Sequence, residues 1–284
     1  MGSETRKISI AVPSLNYGRF VTACLESIRR QDHEEFEVLI ADGGSRDGSV
    51  EIIERYCELD PRFRLVSRSD TGQVDAIVRA FSHATGDVYC FLNADDCYLC
   101  DDAFSSAVHA FRAYPGVDVV TFGGYYLDVE GRHTRPVRLR YHTLDDIGMM
   151  KHRSGALQPA TFWTRKVHDA IPLRADFEYS FDTVFFYEAW TRFSWLELSK
   201  PLAGYRIHTD NKSIQINSSR VFEVARFETM KFGRYSLRAA YLRMIGAAVA
   251  VFGSVPGIGS VLLRLLRIAV NALAAGTAYR FPSI

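Results

Sequence analysis

Beyond Glu228 the chain has no acidic residue, although Lys231, Arg234, Arg238, Arg243, Arg264, Arg267 and Arg280 all lie there. The formal charge of the 284 residues is only +1, so the chain up to Glu228 is net acidic and the tail is net basic. A near-neutral whole gives no case for a nucleic-acid partner. Cysteine is scarce too. Cys24, Cys57, Cys90, Cys97 and Cys100 are an odd, scattered set, which argues against a disulfide framework and fits a reducing compartment. Cys97 and Cys100 form a lone C-x-x-C. Structural zinc usually takes two such pairs, or a pair plus histidines, so neither zinc nor redox chemistry is expected there. No signal peptide is expected, because the apolar run after Lys7 is short and ends at Pro13. No internal repeat or low-complexity linker interrupts the chain.

What is present is a large apolar fraction, 48%, enough for a sizeable core. Its pattern is regular at first. Ile8 to Val12, Phe36 to Ala41, Phe63 to Ser67, Val88 to Leu92 and Val117 to Gly123 read as short buried strands. Between them, Tyr17 to Gln31, Val50 to Cys57, Val74 to Ala84 and Ala103 to Tyr114 read as helices, with Ser49 placed to cap the second. Strands alternating with helices through about residue 125 predict an α/β fold with a mostly parallel sheet flanked by helices. From about 135 to 215 the pattern is irregular and rich in aromatics, as expected of a second half of the same domain closing over a site.

Ligands of open α/β sheets sit at the carboxyl ends of the strands. Three polar loops leave strands at that edge: Pro13-Ser14-Leu15-Asn16, Asp42-Gly43-Gly44-Ser45 and Asn93-Ala94-Asp95-Asp96. Glycines in the second let backbone approach a ligand, and its carboxylate suits a base or ribose; a capped turn explains it equally well. The third puts two adjacent carboxylates at the end of an apolar strand, where they repel unless a cation or donor is near. Magnesium and manganese take such ligands, typically one or two carboxylates plus substrate phosphates. Asp182, among aromatics, is a candidate general base if desolvation raises its pKa, or simply a helix N-cap before Val184 to Trp190. His208, beside Arg206 and Lys212, is either a diphosphate or metal contact or a structural histidine.

Six ordered segments between about residues 7 and 215 together resemble the family 2 glycosyltransferases, which have the GT-A fold. They are ISIAVPSLNYGRFVTACLESIRRQ, FEVLIADGGSRDGSVEII, DTGQVDAIVRAFSHATGDVYCFLNADD, QPATFWTRKV, FEYSFDTVFF and LAGYRIHTDNKS. The resemblance implies a nucleotide-sugar donor, a Mg²⁺ or Mn²⁺ ion and inverting transfer to an acceptor hydroxyl. Pro13, Ser14 and Asn16 would line the nucleotide pocket, Asp42 would contact the base, and Gly72 and Gln73 would sit near the donor. Asp96 would be the direct metal ligand, with Asp95 near ribose or metal and His208 near diphosphate or metal. Asp182 would be the catalytic base. A UDP-sugar is favoured, with GDP- and dTDP-sugars open.

Asn93 stands where many members have an acid, and Glu188 where many have an arginine. The Q-x-x-R-W signature of processive synthases is absent, so one sugar per encounter is expected. The Gly72-Gln73-x-Asp75-Ala76 variant resembles members that build bacterial surface polysaccharides.

Residues 1–220 are therefore expected to form the catalytic domain and 221–284 a helical, membrane-associated tail. Met244 to Leu263 is free of charge, but Pro256 and several glycines interrupt it. Two short helices lying on an anionic membrane are expected rather than one span. That predicts a cytoplasmic protein peripheral on the inner face of the membrane, acting on a lipid-linked glycan. A packed tail or a homo-oligomer is the alternative. A sugar nucleotidyltransferase would need a Gly-rich, basic phosphate loop after the first strand, which Pro13-Ser14-Leu15-Asn16 does not supply. A non-catalytic nucleotide-sugar binder or membrane scaffold has no need of Asp95, Asp96 and Asp182 together.

Overall fold

A computed structural model describes residues 6–137, 156–209, 211, 218–232 and residues 240, 243, 244, 246, 247 and 250. Among these, residues up to 137 with 156–175 and 185–208 form one compact unit. Residues 176–184 and those from 209 onward form a second. The expected membrane-lying helices between Met244 and Leu263 fall almost wholly outside the described residues. No helix among the described residues is long and apolar enough to cross a membrane.

The first unit opens with β1 (Ile8–Ser14), α1 (Val21–Arg29), β2 (Phe36–Asp42), α2 (Ser49–Leu59), β3 (Phe63–Ser67), α3 (Gln73–Phe81) and β4 (Val88–Phe91). There follow β5 (Cys97–Tyr98), α4 (Ala103–Ala113), β6 (Val119–Leu127) and β7 (His133–Val137). After a 3-10 turn at Gln158–Ala160 come β8 (Thr161–Thr164), α5 (Arg165–Ala170), α6 (Phe181–Arg192) and β9 (Trp195–Arg206). In the second unit α7 spans Ser218–Phe232.

The strands form one sheet ordered β3-β2-β1-β4-β8-β6-β9-β5, with β7 added to β6. β3, β2, β1 and β4 pair in parallel. Every residue of β1 and β2 is buried, the polar Ser9 and Glu37 among them, which is why both read as largely apolar runs rather than alternating ones. α1 buries Val21, Cys24, Leu25 and Ile28, one helical stripe, each fully buried aliphatic contributing about 1.5–3 kcal/mol. β8 enters antiparallel between β4 and β6, and β6 pairs in parallel with β9. β5 and β8 have two and four residues, too short for a periodic signal, and no strand was expected at either.

Two local expectations change. Gly48, in the left-handed conformation at φ 89°, is the N-cap of α2, and Ser49 is the first helical residue. The Ser49 hydroxyl donates to Asp47 Oδ1 from inside the first turn, one position past the cap. The first helix begins at Val21 rather than Tyr17, because Asn16 at φ 57° turns the chain sharply beforehand.

Candidate functional site

The carboxyl edge of β1, β2 and β4 carries the three polar loops, and hydrogen bonds lock them together. Ser14 lies in register with Asp42, and Gly43 N–H donates to Ser14 O at 2.8 Å. Asn16 N–H donates to Ser45 Oγ at 2.7 Å, and Asn16 Oδ1 accepts from Arg46 N–H at 2.9 Å. Gly18 N–H donates to Asp47 Oδ2 at 2.8 Å. Asn16 thus clasps the first loop to the second. Pro13 is buried in the strand, and Ser14 Oγ is buried without a hydrogen-bond partner.

Asp42 is fully buried. Its Oδ1 accepts from Gly44 N–H at 2.9 Å and Ser45 N–H at 2.7 Å, and its Oδ2 accepts from the Ser45 hydroxyl at 2.6 Å. Both oxygens are committed to the turn. Gly72, at φ 139°, is the N-cap of α3, and a Cβ there would meet nothing within 4 Å. Gln73, the first residue of α3, donates through Nε2 to Asn93 Oδ1 at 2.7 Å. Asn93 Nδ2 donates to Gln158 Oε1 at 3.3 Å, and Gln158 Nε2 donates to Phe91 O at 2.6 Å. The amide at 93 both accepts and donates, which a carboxylate cannot do.

The acidic turn follows. Asp95 and Asp96 are both buried. Asp95 Oδ2 lies 3.0 Å from His208 Nε2. The imidazole ring packs against Phe20 at 4.8 Å and edge-on to Tyr17 at 6.2 Å between centroids. Asp96 Oδ1 accepts from Arg206 N–H at 2.8 Å, while its Oδ2 is buried with no hydrogen-bond partner. Burial first, then the Asp95 charge, push the Asp96 carboxyl well above its ordinary range. Arg206 and the Asn93 side chain oppose that shift. The Arg206 side chain braces the turn: Nε donates to Asp95 O at 2.7 Å and Nη1 to Asp128 O and Val129 O at 3.2 and 3.1 Å. Sequence reasoning passed over Arg206 as a structural element, although the R-x-H spacing contains it.

No three His, Cys, Asp or Glu side chains converge as a ready-made metal cage among the described residues. A hard cation takes one or two carboxylates and completes its shell with substrate oxygens. The orphaned, buried Asp96 Oδ2 beside Asp95 is the donor such an ion would satisfy. Cys97 and Cys100 are free thiols, both pushed up to about 11, chiefly by burial, and so carry no thiolate at neutral pH.

Asp182 belongs to the second unit. It lies in the first turn of α6, inside the helix rather than capping it, and its Oδ1 accepts from Thr183 N–H at 2.6 Å. The segment before it is clamped by Glu223 of α7. Glu223 accepts from the N–H groups of Glu178, Tyr179 and Ser180 at 2.6, 2.9 and 3.1 Å, and from the Ser180 hydroxyl at 2.9 Å. Nothing in the spacing pointed to Glu223, because it acts across 45 residues.

The sequence pattern described as "Glycosyl transferase family 2" matches residues 9–171, more than half of the chain. The chain belongs to glycosyl transferase family 2. Over 164 residues it is 30% identical to a PGL/p-HBAD biosynthesis glycosyltransferase of Mycobacterium bovis, covering 57% of this chain and 61% of that protein. Over 91 residues it is 35% identical to an uncharacterized glycosyltransferase of Nostoc, covering 32% of this chain and 28% of that protein. The family 2 chain thus spans less than two thirds of these curated relatives. Among solved structures it is similar to S. aureus TarS in complex with UDP-GlcNAc: TM-score 0.63, 20% identity, 83% of this chain and 69% of the other. It is also similar to the mannosyltransferase PcManGT of Pyrobaculum calidifontis in complex with GDP-Man and Mn²⁺: TM-score 0.58, 17% identity, 96% and 81%. Those two likenesses speak to the GT-A fold.

Proposed function

We propose that this family 2 member is an inverting, non-processive enzyme that moves a sugar from a nucleotide-sugar donor to an acceptor hydroxyl. The observation that carries the reading is the acidic turn. A buried carboxylate oxygen of Asp96 has no hydrogen-bond partner, its neighbour Asp95 is paired with His208, and Arg206 fixes the turn. Asp96 and Asp95 would hold Mg²⁺ or Mn²⁺, with His208 beside them. The ion, when bound, supplies positive charge that offsets what develops on the leaving diphosphate.

The chain's own residues do the rest. Ser14, Asn16, Gly72 and Gln73 line the donor side; a nucleotide-sugar donor is supported by the similar folds of TarS, solved with UDP-GlcNAc, and PcManGT, solved with GDP-Man and Mn²⁺. Asp182 accepts the proton of the acceptor hydroxyl as its oxygen attacks the anomeric carbon, and the bond to the nucleotide diphosphate breaks on the opposite face. Glu223 holds the start of α6 and with it the Asp182 backbone. The acceptor is a lipid-linked glycan of cell-surface polysaccharide synthesis. The basic tail meets an anionic membrane from the cytoplasmic side, a reading supported by the lack of acid after Glu228.

The test is release of nucleotide diphosphate from a panel of UDP-, GDP- and dTDP-sugars with and without Mn²⁺. Release that tracks both one donor class and the ion is expected. Asp182→Asn should abolish transfer and leave donor binding intact; undiminished turnover would remove Asp182 from the mechanism. Full-length protein that ignores anionic liposomes would sink the membrane reading.

A further inference from the structure

Within the second unit, α7 touches the segment before Asp182 and also the beginning of the basic tail. Toward Asp182 it makes two grips. Glu223 Oε1 accepts from Glu178 N–H at 2.6 Å. Its Oε2 accepts from Tyr179 and Ser180 N–H at 2.9 and 3.1 Å and from the Ser180 hydroxyl at 2.9 Å. Next along the helix, Arg226 lies 3.5 Å from Asp176 Oδ2, with its guanidinium 4.0 Å from the ring centre of the fully buried Phe177. Ser180 O in turn accepts from Val184 N–H at 2.9 Å, so the first turn of α6 is wound from the residue that Glu223 holds twice. Asp182 sits in that turn, and its Oδ1 accepts from Thr183 N–H at 2.6 Å and from the Thr183 hydroxyl at 3.3 Å. The direction of its carboxylate therefore follows the local backbone.

Toward the tail, α7 is met by helical residues of that segment. Arg243 Nη2 donates to Thr229 Oγ1 at 2.6 Å, and that hydroxyl donates to Ala225 O at 2.8 Å. Gly246 is buried against Phe222, the neighbour of Glu223 in the chain. A Cβ at 246 would lie 2.9, 3.0 and 3.1 Å from three atoms of the Phe222 ring. A side chain there has to push the ring, or α7 with it, aside.

We propose that Glu223 is a positioning residue for Asp182, and that through it the packing of the tail on α7 governs how the base is aimed. The proposal rests on the reading of Asp182 as the base and adds to it the device that holds that base in place. A hold on three consecutive residues fixes the approach of the chain to α6, and a shift of about 1 Å at a reacting group costs about 100-fold in rate. The acid at 223 is specific. All four groups that point at it are donors, and a glutamine would turn its own N–H groups on some of them. Glu223 acts without touching substrate. The tail reaches the base by the same route, because Gly246 and Arg243 press on the helix that carries Glu223.

The test uses the full chain with Mn²⁺. It follows release of UDP, GDP or dTDP from the matching sugar donors, with water as the acceptor, and amide hydrogen exchange of the peptide spanning residues 176–184. Glu223→Gln should lower kcat about 10- to 100-fold, leave the donor KM within about 2-fold, and speed exchange of that peptide. Glu223→Asp, which keeps both acceptor oxygens on a shorter stem, should recover part of the loss. Gly246→Leu should lower kcat about 3- to 10-fold and speed exchange of the same peptide. Added to Glu223→Gln it should cost nothing more, because the link is already cut. A wild-type kcat in Glu223→Gln, or losses from the two changes that multiply, overturns the proposal. Asp182→Asn keeps the two readings apart. Turnover abolished there but unaffected in Glu223→Gln leaves Asp182 standing as the base, whereas undiminished turnover in Asp182→Asn overturns both.

Discussion

Glu37 in β2 and Glu197 in β9 are carboxylates in the same sheet, in its two differently built halves. Glu37 is surrounded. It accepts from Ser9 Oγ at 2.7 Å and from Thr85 N–H and Oγ1 at 2.6 and 2.9 Å, and it meets Lys7 and Arg64 at 3.2 and 3.0 Å. Burial alone would raise its pKa, but these bonds prevail and bring it down to about 2. Glu197 has both oxygens buried and no hydrogen-bond partner for either, and burial pushes it up to about 7. Two residues before it, on the same strand face, Trp195 also buries an unpartnered indole N–H. Aromatic packing fills that region: Trp195 lies 5.0 Å from Trp190 and 6.1 Å from Phe186, and Trp163 lies 5.1 Å from Phe185. The Glu37 cluster in the βαβ half satisfies its buried polar atoms, whereas the region around Glu197 in β9 is held by rings and leaves a carboxylate and an indole N–H bare.

The sharpest way to break this contrast is Glu37→Ala. It orphans Ser9, Thr85 N–H and the facing cations together, and about 3 kcal/mol of stability should go in urea unfolding at pH 7. A loss below about 1 kcal/mol would mean that the cluster does not anchor the β1–β2 edge. The pH dependence has a fixed sign. Because the folded pKa is depressed, the Glu37 contribution is full above about 4.5 and fades as pH falls toward about 2.

Arg206→Lys comes next. One ammonium cannot reach Asp95 O, Asp128 O and Val129 O at once, so about 2 kcal/mol and most of the turnover should be lost. Wild-type stability in that variant would show that β9 is as bare at its carboxyl end as at Glu197. Glu197→Gln should act in the opposite direction, stabilising by about 1–2 kcal/mol at pH 8 after allowance for its partial exposure. With a folded pKa above the unfolded one, stability falls as pH rises from about 4.5 through about 7, so the gain should vanish near pH 4. A gain independent of pH would point to packing instead of charge. The smallest effect is expected from Asn93→Asp, about 1 kcal/mol, read as a lowered melting temperature with secondary structure intact.

The same contrast explains what could be read from the sequence. β1 through β4 are local units whose apolar runs and loops lie in chain order, so strands, helices and the three polar loops were all legible. β5, β8 and the β6–β9 pairing join segments tens of residues apart, and such contacts leave no period in the chain. The candidate site divides likewise. Asp95, Asp96, Asp182 and His208 stood out as residue types in motifs. Glu223 depends on where distant segments come to rest.

The chain of amides from Gln73 through Asn93 to Gln158 and Phe91 O has a direction: each group donates to the next. Editing one link alone leaves a neighbour without its donor or acceptor, at a cost of about 1 kcal/mol. Among related sequences, an acid at the position of Asn93 should therefore arrive with replacements at the positions of Gln73 and Gln158. These three scattered sites would be inherited as a single character.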